Sequence, residues 1–203
     1  MLEAHDIAAR RGDATLFAEV SFALPSGNAL VVTGPNGSGK TTLLRIVAGL
    51  THASSGTLSW RGDTVHPFDP ALRAAALFIG HAPALKDELT TEENLAALAN
   101  LHGVSADSEA LRAALARWSL TRQRGLPARV LSQGQRRRVG LARLKLLRRP
   151  LWVLDEPTTA LDAAGVSSLQ ELIAEHLDDG GAAIIATHQE LDVRPSVRTL
   201  HLQ

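Results

Sequence analysis

The chain contains the segment Gly34-Pro35-Asn36-Gly37-Ser38-Gly39-Lys40-Thr41, which matches the phosphate-binding pattern G-x-x-x-x-G-K-[ST]. An apolar run over 29–33 precedes this segment, and a helical pattern over 41–48 follows it. In a strand, turn and helix arranged in this order, backbone N–H groups of the turn and the N-terminus of the helix can surround an anion. We therefore predict a nucleotide site in which Lys40 reaches the β and γ phosphates and Thr41 ligates Mg²⁺. The predicted phosphate contacts are Gly34, Pro35, Asn36, Gly37, Ser38, Gly39, Lys40, Thr41 and Thr42.

Short apolar runs along the chain indicate the strands of a parallel sheet. Some runs are almost continuously apolar, which is typical of central strands that helices cover on both faces. Other runs mix apolar and polar residues and are punctuated by glycine, which indicates an antiparallel β edge layer. We therefore predict an α/β fold with a mostly parallel sheet. The predicted central strands are 29–33, 76–79, 151–154 and 182–187, and the predicted edge strands are 2–9, 20–24 and 57–60.

Between about residues 83 and 149 helical signals replace the strand signals. Thr90 and Glu93 have the spacing of a capping box, which begins a helix. A third helix is expected over 135–148, because Pro150 cannot continue it. The segment 83–149 is thus predicted to be an inserted α-helical subdomain. Apolar residues recur at helical spacing in the first two helices: Leu95, Leu98 and Leu101 in the first, and Leu111, Leu115 and Trp118 in the second.

Composition narrows the class of protein. The 203 residues include no cysteine, and 21 Lys and Arg balance 21 Asp and Glu. A disulfide-stabilised secreted domain is therefore excluded, and zero net charge gives no overall attraction to nucleic acid or to anionic lipid. No stretch approaches about 18 uninterrupted apolar residues, so we expect a chain that is neither exported nor inserted into a membrane. Residues 1–203 are predicted to form one domain, with a core of 1–82 and 150–203.

Two carboxylates close the apolar run 151–154. Asp155 and Glu156 follow the run directly. Because the carboxyl ends of parallel strands meet at one edge of a sheet, both side chains can lie beside the phosphate segment. Asp155 is predicted to hold Mg²⁺ through water, and Glu156 is predicted to orient and polarise the water that attacks the γ-phosphate.

A third motif distinguishes among the many nucleotide-binding proteins that share these two. The segment Leu131-Ser132-Gln133-Gly134-Gln135 and the basic helical run after it resemble the signature of ABC-type ATPases, written L-S-G-G-Q. Asp162 and His188 stand where that family keeps its D-loop and its switch histidine. The resemblance covers nearly the whole chain and implies a P-loop NTPase core that binds ATP and Mg²⁺. Its implied catalytic residues are Glu156, His188 and Lys40, and its implied ATP contacts include Ser132, Gly134, Gln135 and Asp162.

The same resemblance implies a partner of the same kind. In the family, two copies pack head to tail, and each ATP lies between the phosphate segment of one copy and the signature of the other. The N–H groups of Gly134 and Gln135 open a helix whose positive end can face an anion. A homodimer with ATP at its interface is therefore expected.

Three positions depart from the family pattern. His81 stands where the family usually places a glutamine that contacts Mg²⁺ or water, and an imidazole can still exchange hydrogen bonds with water. Arg11 stands near the place of the aromatic residue that stacks on adenine, where a planar guanidinium can stack instead. Gln133 replaces a signature glycine. We therefore expect His81 to contact the metal site and Arg11 to contact the nucleotide.

A finer resemblance rests on the Gly80-His81-Ala82-Pro83 loop, the variant signature and Thr187-His188-Gln189. These are similar to the ATP-binding subunits of bacterial haem exporters used in cytochrome c maturation. That resemblance implies integral membrane transporter subunits as partners and a peripheral position on the cytoplasmic side of the inner membrane. It also implies a role in haem delivery or in release of a haem chaperone.

Other interpretations remain open at this level. An ABC ATPase with these motifs can serve a transporter of another solute. A soluble ABC protein that acts on nucleic acid or ribosomes usually has two fused cassettes or a basic arm, and the neutral sequence shows neither. A soluble small-molecule kinase would leave residues 131–135 without a role.

Overall fold

The computed structural model describes residues 1–189, 191–193 and 197–203. Within these residues the chain forms two β-sheets and six α-helices, which confirms the predicted α/β class. The strands are β1 Leu2–Arg11, β2 Ala14–Leu24, β3 Ala29–Thr33, β4 Ser55–Trp60, β5 Asp63–Val65, β6 Ala76–Ile79, β7 Leu151–Asp155, β8 Ala182–Ala186 and β9 Val197–His201. The helices are α1 Lys40–Val47, α2 Pro70–Ala75, α3 Thr91–Leu101, α4 Ser108–Arg117, α5 Gln133–Leu147 and α6 Ala163–Asp178.

The larger sheet has the strand order β6-β7-β8-β3-β9 among the described residues. β3 pairs in parallel with β8 and β9, and β7 pairs in parallel with β8. All residues of β7 and β8 are buried, which explains their continuous apolar sequences. The carboxyl ends of β3, β7 and β8 therefore share one edge, and the three predicted motifs of this sheet begin there.

The sequence did not indicate β9. Its five residues, Val-Arg-Thr-Leu-His, mix apolar and polar types, and four of the five are exposed. An edge strand held by pairing with β3 needs no apolar run, so periodicity cannot reveal it. Leu202, just beyond β9, is buried, and its N–H donates to the Thr33 carbonyl at 2.9 Å.

The smaller sheet is antiparallel, with the order β2-β1-β4-β5, and confirms the predicted edge layer. Leu2 lies opposite Leu24 on one side and opposite Trp60 on the other, and all three are buried. Its strands are longer than predicted. Register shifts in β1 and positive φ angles at Asp6 and Glu19 let β1 and β2 stay paired. The pairing therefore continues through polar stretches where apolar and polar residues no longer alternate.

Helix capping sets where α3 begins. The Thr90 hydroxyl accepts from the Glu93 N–H at 3.2 Å, and Glu93 Oε2 accepts from the Thr90 N–H at 2.8 Å, as predicted. Leu95 and Leu98 are buried, whereas Leu101, which continues their spacing, is 82% exposed. Six residues after Leu95, a helix has turned about 120° away from the buried side. The second predicted stripe, through Trp118, is buried.

Contacts divide the described chain into two compact units. The first, which we call the sheet unit, contains β1 to β5, most of β6, and β7 to β9. The second, the helical unit, contains α3, α4 and α5 and also includes 157–172, beyond the predicted helical segment. The sheet unit is 1–78, 149–156 and 173–203, and the helical unit is 79–148 and 157–172.

Across the residues with described positions, the helices are all too short or too polar to cross a lipid bilayer.

His176 and Trp152 form a stacked pair in the sheet unit. Their ring centroids lie 3.8 Å apart, and the ring planes differ by 1°. His176 Nε2 lies 3.2 Å from the carbonyl oxygen of Ala182. Burial lowers the pKa of His176 below its ordinary value of 6.5, and it outweighs the hydrogen bond to Ala182 and the charge of Asp179, which raise the pKa.

This pair makes stability depend on pH. Above about pH 6.5 the imidazole is neutral in both the folded and the unfolded chain and adds no pH dependence. Below that value the unfolded imidazole binds a proton that the folded one resists, so we expect the free energy of unfolding to fall as the solution is acidified. His176→Phe keeps the stacking but removes the titration. Urea denaturation at a series of pH values should therefore give a flatter profile for this variant, and identical slopes would contradict the assignment.

Candidate nucleotide site

Residues 34–39 turn tightly between β3 and α1. Gly34, Gly37 and Gly39 have φ angles of 142°, 87° and 92°, which side chains strongly disfavour. A Cβ atom at Gly34 would collide with the carbonyl oxygen of Leu202, and one at Gly39 would lie 2.7 Å from the ring of Phe17. α1 begins without a side-chain cap. The first N–H groups of α1 therefore suit an anion.

Lys40 and Ser38 supply buried polar groups to this turn. Lys40 is 8% exposed, and its Nζ donates to the carbonyl oxygens of Gly34 at 2.8 Å and Pro35 at 3.0 Å. Ser38 Oγ is buried and has no hydrogen-bond partner among the described groups. A buried ammonium beside an unsatisfied buried hydroxyl fits a ligand that brings anionic oxygens, such as a polyphosphate.

Thr41 and Asp155 bring two oxygen ligands together at the edge of the sheet. Thr41 Oγ1 donates to Asp155 Oδ2 at 2.9 Å, although 114 positions separate them in the sequence. A hydroxyl beside a carboxylate is a donor set that Mg²⁺ accepts, with water and phosphate oxygens completing its shell. Outside the undescribed positions 190 and 194–196, no group of three or more His, Asp or Glu side chains is arranged to hold a metal. The pair thus fits Mg²⁺ that arrives with a phosphorylated ligand.

Glu156 and His188 meet beyond the ends of β7 and β8. His188 Nε2 lies 3.5 Å from Glu156 Oε1, with the imidazole about half exposed and the carboxylate more buried. The backbone of Glu156 has a φ of 47°, and its N–H donates to the carbonyl oxygen of Ala186 at 2.9 Å. A positive φ is uncommon outside glycine, and it is retained where the surroundings hold it. A carboxylate held beside an imidazole can accept a proton from water.

The signature segment begins α5 two residues earlier than predicted. Ser132 Oγ accepts from the Gln135 N–H at 3.2 Å, and Gln135 Oε1 accepts from the Ser132 N–H at 2.9 Å. This capping box starts the helix at Gln133, and the spacing S-x-x-Q could have revealed it in the sequence. The first turn holds no acidic side chain. The N-terminus of α5 therefore keeps its positive potential.

Asp162 ties the signature helix to the chain beyond β7. Its Oδ1 accepts from the Gly165 N–H at 2.9 Å, near the start of α6, and from Arg138 Nη2 at 2.6 Å. The Gly165 hydrogen bond first and Arg138 second lower the pKa of Asp162. Gly134 adds a close backbone approach, because a Cβ there would lie 2.6 Å from the carbonyl oxygen of Ala160. The structure thus gives Asp162 a capping and pairing role that the sequence did not predict.

The predicted site residues fall into two groups, one in each unit. Arg11 ends β1 opposite Ala14 and is exposed, and His81 is exposed in the loop after β6. Two residues with structural roles at these motifs were not predicted, Leu202 behind Gly34 and the buried Arg137 in α5. Neither carried a signal, because a single leucine and one arginine in a basic run look ordinary. The sheet unit holds 34–42, Arg11, Asp155, Glu156 and His188, and the helical unit holds His81, Ser132, Gly134, Gln135 and Asp162.

Comparison with known proteins adds independent findings. A family model described as ABC transporter matches residues 17–159. The cytochrome c biogenesis ATP-binding export protein CcmA of Cupriavidus pinatubonensis is 46% identical over 191 residues, which cover 94% of this chain and 84% of that protein. The protein of the same description from Aromatoleum aromaticum is 49% identical over 191 residues, which cover 94% of this chain and 89% of that protein.

A solved structure shows the same fold. The dimeric post-hydrolysis structure of the ATP-binding cassette MJ0796, bound to ADP and Pi, is similar with a TM-score of 0.86 at 24% identity. The match covers 100% of this chain and 94% of that one. The family match over most of the chain and the relatives that align with nearly all of it show that the present chain belongs to the ABC transporter family, as an ABC-type ATPase.

Proposed function

We propose that this ATPase powers a membrane exporter that serves haem delivery, or release of a haem chaperone, in the maturation of c-type cytochromes. The observation that carries the proposal is the 46% identity, over 94% of the chain, to a relative named for ATP-binding export in cytochrome c biogenesis. The loop 80–83 and the segment 187–189 carry the same resemblance in the sequence.

ATP is the proposed substrate of the sheet unit. Lys40 would exchange its two carbonyl contacts for the β and γ phosphates, and the Ser38 hydroxyl would gain the partner that it lacks among the described groups. Thr41 and Asp155 would hold Mg²⁺, Asp155 through water, and the bound ion would neutralise developing charge on the phosphates. Arg11 would stack on the adenine.

Hydrolysis is assigned to Glu156 and His188. Glu156 would accept the proton of the water that attacks the γ-phosphate, and the 3.5 Å contact with His188 would keep the carboxylate aimed. His188, about half exposed, would contact the γ-phosphate and sense its loss. His81 would share a water or the metal site in place of the usual glutamine.

The proposed assembly is a homodimer with ATP at its interface. The start of α5 offers the N–H group of Gly134. The Gln135 N–H, which donates to Ser132 Oγ at 3.2 Å, would exchange that acceptor for the phosphate. These groups would bind the γ-phosphate held by the other copy. The related cassette MJ0796 is described as dimeric, which supports the same arrangement here.

The proposed partners are integral membrane subunits, with the ATPase lying peripherally on the cytoplasmic side of the bacterial inner membrane. The support is that the similar proteins of Cupriavidus pinatubonensis and Aromatoleum aromaticum are named export proteins. Closure of the ATP-bound dimer and its opening after hydrolysis would move those subunits. No nucleic acid is expected in this assembly, since the chain has no net charge.

The proposal is tested in the source organism by replacing the chromosomal copy with Lys40→Ala. We expect c-type cytochromes to lose covalent haem, measured by haem staining of membrane and periplasmic proteins. The b-type cytochromes, which hold haem without covalent attachment, serve as the internal control. Normal c-type cytochromes together with a defect in uptake or export of another solute would instead assign the chain to a different transporter.

A further inference from the structure

Arg137 lies in α5, two residues after the signature segment, and is 3% exposed. Its guanidinium reaches two different loops of the helical unit. Nη1 donates to the carbonyl oxygens of Gly80 at 2.7 Å and His81 at 3.1 Å, and Nε donates to the carbonyl oxygen of Pro157 at 3.2 Å. One side chain therefore joins the backbone of the His81 loop to the residue that follows Glu156.

The geometry requires a guanidinium. Its donors are fixed in a planar fork, so Nη1 and Nε can serve acceptors on two separate loops at once. A lysine ammonium is a single point charge and cannot span both loops from the same position. The loop also touches α5 at a second place, since a Cβ atom at Gly140 would lie 3.2 Å from Pro83 Cβ. Loop 80–83 thus contacts α5 at two points, Arg137 and Gly140, which lie about one helical turn apart.

Burial of the Arg137 charge costs free energy, and an apolar side chain could fill the same space without that cost. Transfer of a charge from water to a protein interior is unfavourable, and apolar side chains of similar volume often give equal or greater stability. Arg143 on the same helix is also buried, and burial together with the charge of Arg137 lowers its pKa to about 10. The hydrogen bonds of Arg137 to the two loops offset part of the free-energy cost of burying its charge.

We propose that Arg137 is a positioning residue that ties the His81 loop to the backbone at Pro157, so that these two segments of the helical unit keep a fixed relation to each other during ATP hydrolysis. This inference rests on the proposed roles of Glu156 and His81. It assigns to Arg137 no contact with ATP. Its loss is therefore expected to lower kcat while leaving nucleotide affinity in place.

The first test needs no nucleotide. In the full-length chain, Arg137→Met keeps an unbranched side chain but removes the guanidinium and with it the three hydrogen bonds to the two loops. Hydrogen exchange followed by mass spectrometry should show faster exchange in peptides that cover 80–85 and 157–162 together, by about tenfold or more. Arg143→Met removes the neighbouring buried arginine, whose described hydrogen bond goes to Gly140 within its own helix, and should leave both peptides as in the wild type.

The second test measures catalysis. For Arg137→Met we expect kcat for MgATP to fall about tenfold or more, with the dissociation constant for ATP within about twofold of wild type. Arg137→Lys should give an intermediate kcat, because it can restore one loop contact. Arg143→Met should retain the wild-type kcat. All measurements belong at a temperature where each variant is fully folded by circular dichroism, so that lost stability does not lower kcat.

The outcomes separate the inference from the proposed function. Wild-type exchange of both loops in Arg137→Met, or an equal kcat loss in Arg143→Met, overturns the positioning role. Parallel losses of kcat and ATP affinity overturn it as well, since they indicate general damage. A wild-type chain that hydrolyses no ATP, even with its membrane partners, refutes the proposed function and the catalytic consequence, whereas the exchange result still decides whether Arg137 holds the two loops.

Discussion

Replacing Glu156 with glutamine is expected to lower the rate of ATP hydrolysis by about 10³-fold while ATP binding is retained. The amide keeps the shape of the side chain but cannot accept the proton of the attacking water. The neighbouring His188, 3.5 Å from Glu156 Oε1, would still contact the side chain, so the site should keep its geometry. Steady-state phosphate release and equilibrium titration with ATP measure the two effects separately.

Because binding should persist without turnover, Glu156→Gln is also expected to accumulate as an ATP-bound dimer, visible by light scattering in Mg·ATP. The matched control is Glu171→Gln, which makes the same chemical change at a carboxylate that is 66% exposed. That variant should turn over ATP at the wild-type rate. Undiminished hydrolysis by Glu156→Gln would remove Glu156 as the base. A strictly monomeric Glu156→Gln chain, with and without its membrane subunits, would refute the proposed dimer.

The Lys40→Ala substitution is expected to weaken ATP binding by about 10- to 100-fold, which is the usual effect of losing charge-assisted hydrogen bonds to phosphate. The loss should depend on which phosphates the ligand carries. AMP has neither a β nor a γ phosphate, so its affinity should change little. Isothermal titration with ATP, ADP and AMP in the presence of Mg²⁺ measures this difference.

Lys145→Ala is the control for Lys40, because it removes an exposed lysine from the helical unit. Its nucleotide affinities should match the wild type. Removing Lys40 also leaves the carbonyl oxygens of Gly34 and Pro35 without their donor, so unfolding of Lys40→Ala must be checked first. A folded Lys40→Ala chain with wild-type affinity for ATP would contradict the proposed phosphate site.

The sequence predicted two kinds of element well. One kind is the strand made almost entirely of apolar residues, and the other is the helix start whose hydrogen bonds join residues close together in the chain. β3, β7 and β8 were predicted because burial on both faces leaves almost no freedom of residue type. The capping box at Thr90 was predicted because its two hydrogen bonds span three residues. Leu101 shows the limit of such a pattern, because an apolar residue at the end of a helix repeats the spacing without being covered.

The remaining features depend on atoms that are distant along the chain. Leu202 closes the space behind Gly34, and no local pattern links two residues 168 positions apart. The expected contact of Asp162 with the nucleotide stays a prediction, and its ion pair with Arg138, 24 positions earlier in the chain, had no signal in the sequence. Arg137 was one cation in a basic run until its contacts with Gly80, His81 and Pro157 distinguished it.

By itself the sequence determined the family, the central strands β3, β6, β7 and β8, and the identity of the phosphate, acidic and signature motifs. These properties follow from residue types at short spacing, which constrain backbone conformation and hydrogen bonding locally. Only the tertiary structure decided which arginine is buried, which strand closes the edge beside β3 and which glycine has no room for a side chain. Those properties arise when parallel pairing and helix packing bring distant backbone atoms within hydrogen-bonding distance, and a local pattern does not encode that distance.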